Sequence, residues 1–145
     1  MPDTLNTPFV PHSVLYTMIR VADLDRSIAF YGAAFGMAEL RRETFPDARF
    51  TLVFVGYAAQ PDGATIELTW NWDKGTYTHG TGVGHVALGV ADLEGTCARL
   101  TKIGVEILRA PGPMTYAPIE TGHRENIAFV ADPDGYRIEL IEQRA

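Results

Sequence analysis

An eight-residue stretch, Pro61-Asp62-Gly63-Ala64-Thr65-Ile66-Glu67-Leu68, returns 72 positions later as Pro133-Asp134-Gly135-Tyr136-Arg137-Ile138-Glu139-Leu140, with six of eight identities. A second pair, Val21-Ala22-Asp23-Leu24-Asp25 and Val90-Ala91-Asp92-Leu93-Glu94, repeats at a shift of 69. The start and the end of a unit of roughly 60 residues are both duplicated, which constrains the chain to two copies of one supersecondary unit. Duplicated units arrange equivalent residues about a pseudo-twofold axis. Glu67 and Glu139, one in each copy, are therefore expected to face a shared space.

The local grammar of the first copy is strand, helix, then three strands. Positions 14–21 are rich in β-branched and apolar residues, and Asp23 is placed to cap a helix. Leu24, Ile28, Tyr31 and Phe35 form one helical stripe, and Gly36 supplies the left-handed stop. Apolar segments at 38–42, 50–57 and 64–70 follow, with Pro61-Asp62-Gly63 turning the chain between the last two. The second copy repeats this pattern. A strand is expected at 84–90, then a helix at 92–103 with Leu93, Cys97, Leu100 and Ile103 inward, a stop at Gly104, and strands at 105–109, 126–131 and 136–142. Pro111-Gly112-Pro113 is read as opening a loop over 111–124 that holds Tyr116, Glu120 and His123, and such irregular stretches often serve as lids or binding loops. The predicted class is α+β: an extended tail over 1–12 and one domain over 13–145, built of βαβββ modules at 13–72 and 83–143.

Composition narrows the function classes. A net charge of −6, with no basic cluster larger than Arg41-Arg42, removes the electrostatic term that dominates nucleic-acid binding. No segment approaches the 18 or so apolar residues needed to span a bilayer. Met1 to Pro11 lacks the basic start and apolar run of a secretory signal, so a cytoplasmic address is expected. Cys97, the single cysteine, can form no internal disulfide and reads as a small buried apolar residue.

Side chains alternate along a strand, so in Thr65-Ile66-Glu67-Leu68-Thr69 the apolar Ile66 and Leu68 share one face and Glu67 the other, with Thr65 and Thr69. Glu139 sits the same way between Ile138 and Leu140. A lone carboxylate there is ordinarily a solvated strand residue. Two equivalent ones in facing modules are costly unless a proton or a cation neutralises them. Sliding one copy onto the other by 69 puts His85 on Tyr16, each on the first strand of its module. His85, Glu67 and Glu139 form a one-nitrogen, two-carboxylate set suited to a borderline divalent ion with positions left for water. Arg20 lies four residues beyond Tyr16 and Asn71 four beyond Glu67, so each shares a face with its site residue.

Thr17-Met18-Ile19-Arg20-Val21, Phe54-Val55-Gly56-Tyr57, Ile66-Glu67-Leu68-Thr69-Trp70-Asn71-Trp72, Gly84-His85-Val86-Ala87 and Asp132-Pro133-Asp134-Gly135-Tyr136 resemble the matching segments of the glyoxalase I (lactoylglutathione lyase) family, in the vicinal-oxygen-chelate superfamily. The resemblance covers 14–142. It implies a metal held by a first-strand residue and a last-strand glutamate from each module, often across a homodimer interface, which maps to Tyr16, Glu67, His85 and Glu139. At the first of these the family looks like histidine or glutamine. For Tyr16 three outcomes stand open: ligation as tyrosinate, a water in its place, or a site without metal. The resemblance further implies Ni²⁺ or Co²⁺, with Zn²⁺ possible and Mn or Fe open for an oxygen-rich set. It implies glutathione as co-substrate, with Arg20 and Asn71 as its contacts.

The activity implied is isomerisation of the hemithioacetal of glutathione and methylglyoxal to S-lactoylglutathione, with Glu139, and Glu67 on the other substrate face, moving the proton. The partners expected are a small-molecule substrate and a second copy of the chain, with neither nucleic acid nor membrane. Two rivals remain. A dioxygenase or glutathione-dependent transferase on the same scaffold would make Tyr16 and the 111–124 loop specialisations. A non-catalytic small-molecule binder would explain the missing histidine and leave the two glutamates without a role.

Overall fold

The computed structural model describes residues 8–143; the tail expected over 1–12 lies outside the described residues as far as position 7. The chain runs β1(Tyr16–Arg20), α1(Leu24–Phe35), β2(Ala38–Phe45), β3(Phe50–Gly56), β4(Thr65–Asn71), β5(His85–Val90), α2(Leu93–Lys102), β6(Ile107–Pro113), β7(Asn126–Ala131) and β8(Arg137–Glu142). This is the expected βαβββ order, twice. Each set of four strands makes its own mixed sheet, β1-β4-β3-β2 and β5-β8-β7-β6, in which the first strand pairs parallel with the fourth and the other pairs are antiparallel.

The helices begin and end where their caps dictate. Asp23 accepts a hydrogen bond from the Arg26 N–H at 3.0 Å and Asp92 one from Gly95 at 2.9 Å, each satisfying a donor that the first turn leaves open. At the end of α1, Gly36 turns left-handed at φ 70°, its N–H reaches Gly32 O at 2.9 Å and the Met37 N–H returns to Tyr31 O at 3.2 Å, so the last turn's carbonyls are satisfied. Helix α2 stops at Ile103, and Gly104 takes the positive φ of 87°. Ile103 was expected inward with Leu93, Cys97 and Leu100; those three are buried, while Ile103 sits on the cap and is half exposed.

One apolar core joins the modules. Leu24, Tyr31 and Ala34 of α1 pack with Val53, Val55, Ile66 and Leu68 of the first sheet, and the same cluster contains Leu93, Cys97 and Leu100 of α2 with Val130, Ile138 and Leu140 of the second. Ile66 and Leu68 do face inward, as their alternation predicts. The seam between modules is also pinned by polar groups. Tyr31 Oη donates to Asp132 Oδ2 at 2.8 Å, while Asp132 Oδ1 accepts from the N–H groups of Asp134 and Tyr136, both at 2.9 Å. Asp134 accepts from the Ala22 N–H at 2.9 Å and from Ser27 Oγ at 3.3 Å. Arg99 of α2 donates to the carbonyls of Ala33 and Ala34 at the end of α1, supplying acceptor-starved cation to open helix carbonyls.

Two expectations for the second module need correction. Its third element was placed at 105–109 with Pro111-Gly112-Pro113 opening a loop; instead β6 runs Ile107–Pro113 and the irregular segment starts at position 114. Prolines are tolerated there because β6 is the outer strand of its sheet, where a missing N–H breaks no ladder bond. The Arg109 guanidinium holds the irregular backbone by donating to the carbonyls of Gly112, Pro113 and Ile127 at 3.0, 2.8 and 2.8 Å.

Candidate active site

The two modules build the same local arrangement from different residues. In the first sheet β1 and β4 pair with Tyr16 opposite Thr65 and Met18 opposite Glu67; in the second, β5 and β8 pair with His85 opposite Arg137 and Ala87 opposite Glu139. The offset between Tyr16 and Glu67 is thus the offset between His85 and Glu139. Neighbouring strands repeat the match: Phe54 lies across from Glu67 and Phe129 across from Glu139. Tyr16 meets the Phe54 ring edge-on at 5.1 Å and 88°, and His85 meets Phe129 at 5.0 Å and 81°. An arginine covers each phenylalanine, Arg41 at 4.1 Å and Arg137 at 4.8 Å. Sequence reasoning gave these phenylalanines and arginines no place at the site; the register reveals it.

The carboxylates differ in setting. Glu67 is 6% exposed and accepts a hydrogen bond from Thr69 Oγ1 at 2.7 Å. Among the described residues no Lys, Arg or His forms an ion pair with it. A carboxylate so buried without a cation partner is a natural ligand for a metal ion. In the other module His85 Nε2 stands 3.0 Å from Glu139 Oε1. Adjacent donors on an octahedral ion with bonds of about 2.1 Å are separated by about 3 Å, so this pair is spaced to bind one cation from the same side. The donor types and the His85–Glu139 spacing therefore fit a divalent ion.

No group of three or more His, Cys, Asp or Glu side chains gathers for a metal among the described residues. His123 and His12, both exposed, join neither half.

Arg20, Asn71 and His85 instead line a cleft of about 790 Å³, together with Lys74, Tyr77, His79, Tyr136 and Arg137. Tyr16, Glu67 and Glu139 are not among its walls. Asn71 Nδ2 donates to Tyr77 Oη at 3.0 Å. Tyr136 Oη donates to the Arg20 carbonyl at 2.8 Å and accepts from the Arg20 N–H at 3.2 Å, which fixes the end of β1, and the His79 ring stacks on Tyr136 at 4.2 Å. Burial pushes the Tyr136 phenol above its usual range, keeping it protonated to donate that bond. Strand alternation places Arg20 beside Tyr16 and Asn71 beside Glu67, but the cleft takes Arg20 and Asn71 without Tyr16 or Glu67. Sequence reasoning missed Lys74, Tyr77 and His79, which lie on the aperiodic segment between modules.

Residues 13–140 match the model of the Glyoxalase/Bleomycin resistance protein/Dioxygenase superfamily. The chain is 48% identical over 129 residues to a probable lactoylglutathione lyase of Synechocystis sp., covering 89% of this chain and 94% of that one. It is 46% identical over 132 residues to the lactoylglutathione lyase of Haemophilus influenzae, covering 91% and 93%. Among solved structures, glyoxalase I from Zea mays superposes with a TM-score of 0.80 at 37% identity over 91% of this chain, which spans only 45% of the maize chain. The trypanothione-dependent glyoxalase I of Leishmania major superposes at 0.74 with 42% identity, covering 90% of this chain and 86% of that one. With a superfamily match over nearly its whole length and such identity to lactoylglutathione lyases, the chain belongs to the glyoxalase superfamily, in its glyoxalase I branch.

Proposed function

We infer that this chain is a lactoylglutathione lyase, isomerising the hemithioacetal of glutathione and methylglyoxal to S-lactoylglutathione. The reading is carried by the matched half-sites, in which a buried Glu67 without a cation partner answers a Glu139 set 3.0 Å from His85. Identity to lactoylglutathione lyases along nine-tenths of the chain favours this over a dioxygenase, a transferase or a sequestering protein.

The residues that would hold the ion are Glu67, His85 and Glu139, with Tyr16 at the fourth position, assembled from the first module of one copy and the second module of another. Residues 13–145 act as one domain in this scheme, with modules 13–72 and 83–143, and the working unit is a homodimer in the cytoplasm. A borderline site of this kind suits Ni²⁺ or Co²⁺, with Zn²⁺ an alternative. When bound, such an ion supplies positive charge that stabilises negative charge developing on the substrate oxygens. Glu139 removes the proton from the carbon that bears sulfur and hydroxyl, and the proton returns to the neighbouring carbon, so oxidation of one carbon balances reduction of the other. Glu67 serves the opposite substrate face. The burial of Glu67 strengthens its electrostatic influence on any charge beside it. Arg20 offers a forked donor to a carboxylate of glutathione, and Asn71, held by Tyr77, offers its amide to the peptide groups.

Metal analysis of the purified protein, followed by the rise in thioester absorbance from methylglyoxal plus glutathione, tests the reading. Turnover that is lost on chelation, regained with a divalent ion, and reduced about 10²-fold or more by Glu139→Gln is expected. Full turnover in Glu139→Gln would remove the proposed proton carrier.

A further inference from the structure

Register makes Glu67 and Glu139 equivalent, yet the residue two places beyond each of them differs. Beyond Glu67 comes Thr69, opposite Arg20 of β1; beyond Glu139, at the shift of 72, comes Ile141, opposite Gly89 of β5. Alternation returns each of these side chains to the face of its glutamate. Thr69 Oγ1 donates to Glu67 Oε2 at 2.7 Å, the length of a strong hydrogen bond to a carboxylate, and both residues are buried, Thr69 at 7% exposure and Glu67 at 6%. Ile141 has no hydroxyl to give, and the polar neighbour of Glu139 is His85 instead. The second oxygen of Glu67 is in a different state from the first. Among the described residues no buried side-chain oxygen or nitrogen lacks a hydrogen-bond partner, and Oε1 has none, so Oε1 opens to the surface. One oxygen is tied down and the other is presented.

We propose that Thr69 is a positioning residue for the first module's share of the metal site, its hydroxyl locking the Glu67 carboxylate so that Oε1 alone is offered to a divalent ion. The proposal rests on the isomerase reading above and adds a residue to it. The terminal torsion of a glutamate is broad and twofold, so a carboxylate without a neighbour can offer either oxygen or both. A hydroxyl bound to Oε2 selects one orientation before the ion arrives and removes the entropy cost of fixing it then. The need is greater in this module than in the other, because β1 carries the phenol of Tyr16 where β5 carries the imidazole of His85, the better donor for a borderline divalent ion. The first module's hold on the ion therefore depends on how well Glu67 is aimed.

The test titrates the full chain, stripped of metal by a chelator, with Co²⁺ and with Ni²⁺ by calorimetry, comparing the wild type with Thr69→Val and Thr69→Ser. Thr69→Val keeps the shape of the side chain and removes the hydroxyl, and Kd for the ion rises roughly 10- to 100-fold, the usual effect of losing a group that orients a metal ligand. Thr69→Ser keeps the hydroxyl and stays near the wild-type affinity. A residue that only packed the strand would give the reverse order, since serine loses the methyl group and valine retains it. Circular dichroism verifies the fold of each variant. Should Thr69→Val not fold, Thr69→Ala against Thr69→Ser repeats the comparison, because that pair also differs by the hydroxyl, and weaker binding by the alanine variant upholds the proposal. Equal affinity in the wild type and Thr69→Val, or equal weakening by valine and serine, overturns the role of Thr69 and leaves the isomerase reading standing. A wild type that binds neither Co²⁺ nor Ni²⁺ overturns both, and that result is separate from the first because it appears before any variant is compared.

Discussion

Tyr31→Phe is a perturbation whose size and pH dependence both follow from the seam between modules. Tyr31 is fully buried, with its ring packed against Phe30 and Phe35 at 5.4 and 5.7 Å, so phenylalanine keeps the packing and removes only the hydroxyl. That hydroxyl donates at 2.8 Å to Asp132 Oδ2, and Asp132 is itself 5% exposed. Losing a hydrogen bond to a charged group costs about 1.5–3 kcal/mol. For a chain of this size each kcal/mol moves the midpoint by about 2–4 °C, so a Tm lower by roughly 4–8 °C is expected at neutral pH. Burial raises the Asp132 carboxyl above the ordinary aspartate range, and the Tyr31 hydroxyl is the foremost group opposing that rise, ahead of the N–H groups of Tyr136 and Asp134. A carboxyl whose folded pKa lies above its unfolded one contributes stability that is full below the unfolded value, about 3.9, and is lost as pH climbs through the folded value. Removing the hydroxyl raises the folded value further, so the penalty is largest at neutral pH and shrinks as pH falls toward about 4. Thermal unfolding by circular dichroism at both pH values checks this, with Asp132→Asn and the double variant closing a cycle. An equal loss at both pH values, or a loss under about 1 °C, would refute the account of a charged acceptor stranded at the seam.

Other perturbations read single features. Tyr16→His completes a donor set that the second module already has in His85, and is expected to raise bound metal per chain, measured by atomic emission; unchanged metal content would count against Tyr16 as the weak point of the site. Asp92→Ala removes the side chain that caps α2 through Gly95 and should cost about 1 kcal/mol, seen as a Tm lower by about 2–4 °C. Gly104→Ala forces a side chain into a backbone with φ 87° and should cost about 1–2 kcal/mol by urea unfolding, with no effect on KM.

The repeated order of strand, helix and three strands was legible because each element carries its own local signal. Asp23 and Asp92 cap as expected, Gly36 stops α1, and the alternation around Glu67 and Glu139 assigned the correct faces. What escaped depends on contacts between elements distant in sequence. Pro111 and Pro113 read as loop residues because a proline's cost depends on whether its strand lies at the edge of the sheet, which no local pattern encodes. The carbonyls around them are satisfied by Arg109, whose neighbours give no sign of it. The two Pro-Asp-Gly turns are identical as sequence, yet only the second engages the opposite module, through Asp134 to Ala22 and Ser27, while Asp62 of the first is exposed. The difference lies in the preceding residue pair: Asp132 accepts from its own turn and from Tyr31, where the first copy has Gln60.

The same duplication that made the fold readable also frames the chemistry of Tyr16. Its strand register relative to Glu67 equals that of His85 relative to Glu139, and its ring meets Phe54 at nearly the angle and distance at which His85 meets Phe129. Backbone placement and ring orientation are therefore conserved between the halves, so the substitution is one of reach and of donor atom. A phenol oxygen projects farther from the backbone than an imidazole nitrogen, by roughly the length of one metal–ligand bond. In the place where a histidine would touch an ion, the phenol oxygen reaches the position of the ion itself. If Glu67, His85 and Glu139 hold an ion as proposed, Tyr16 would have to turn aside on its half-exposed face or leave its place to water. Such an adjustment would fall on the first module, since the second presents an imidazole in the same register, 3.0 Å from Glu139.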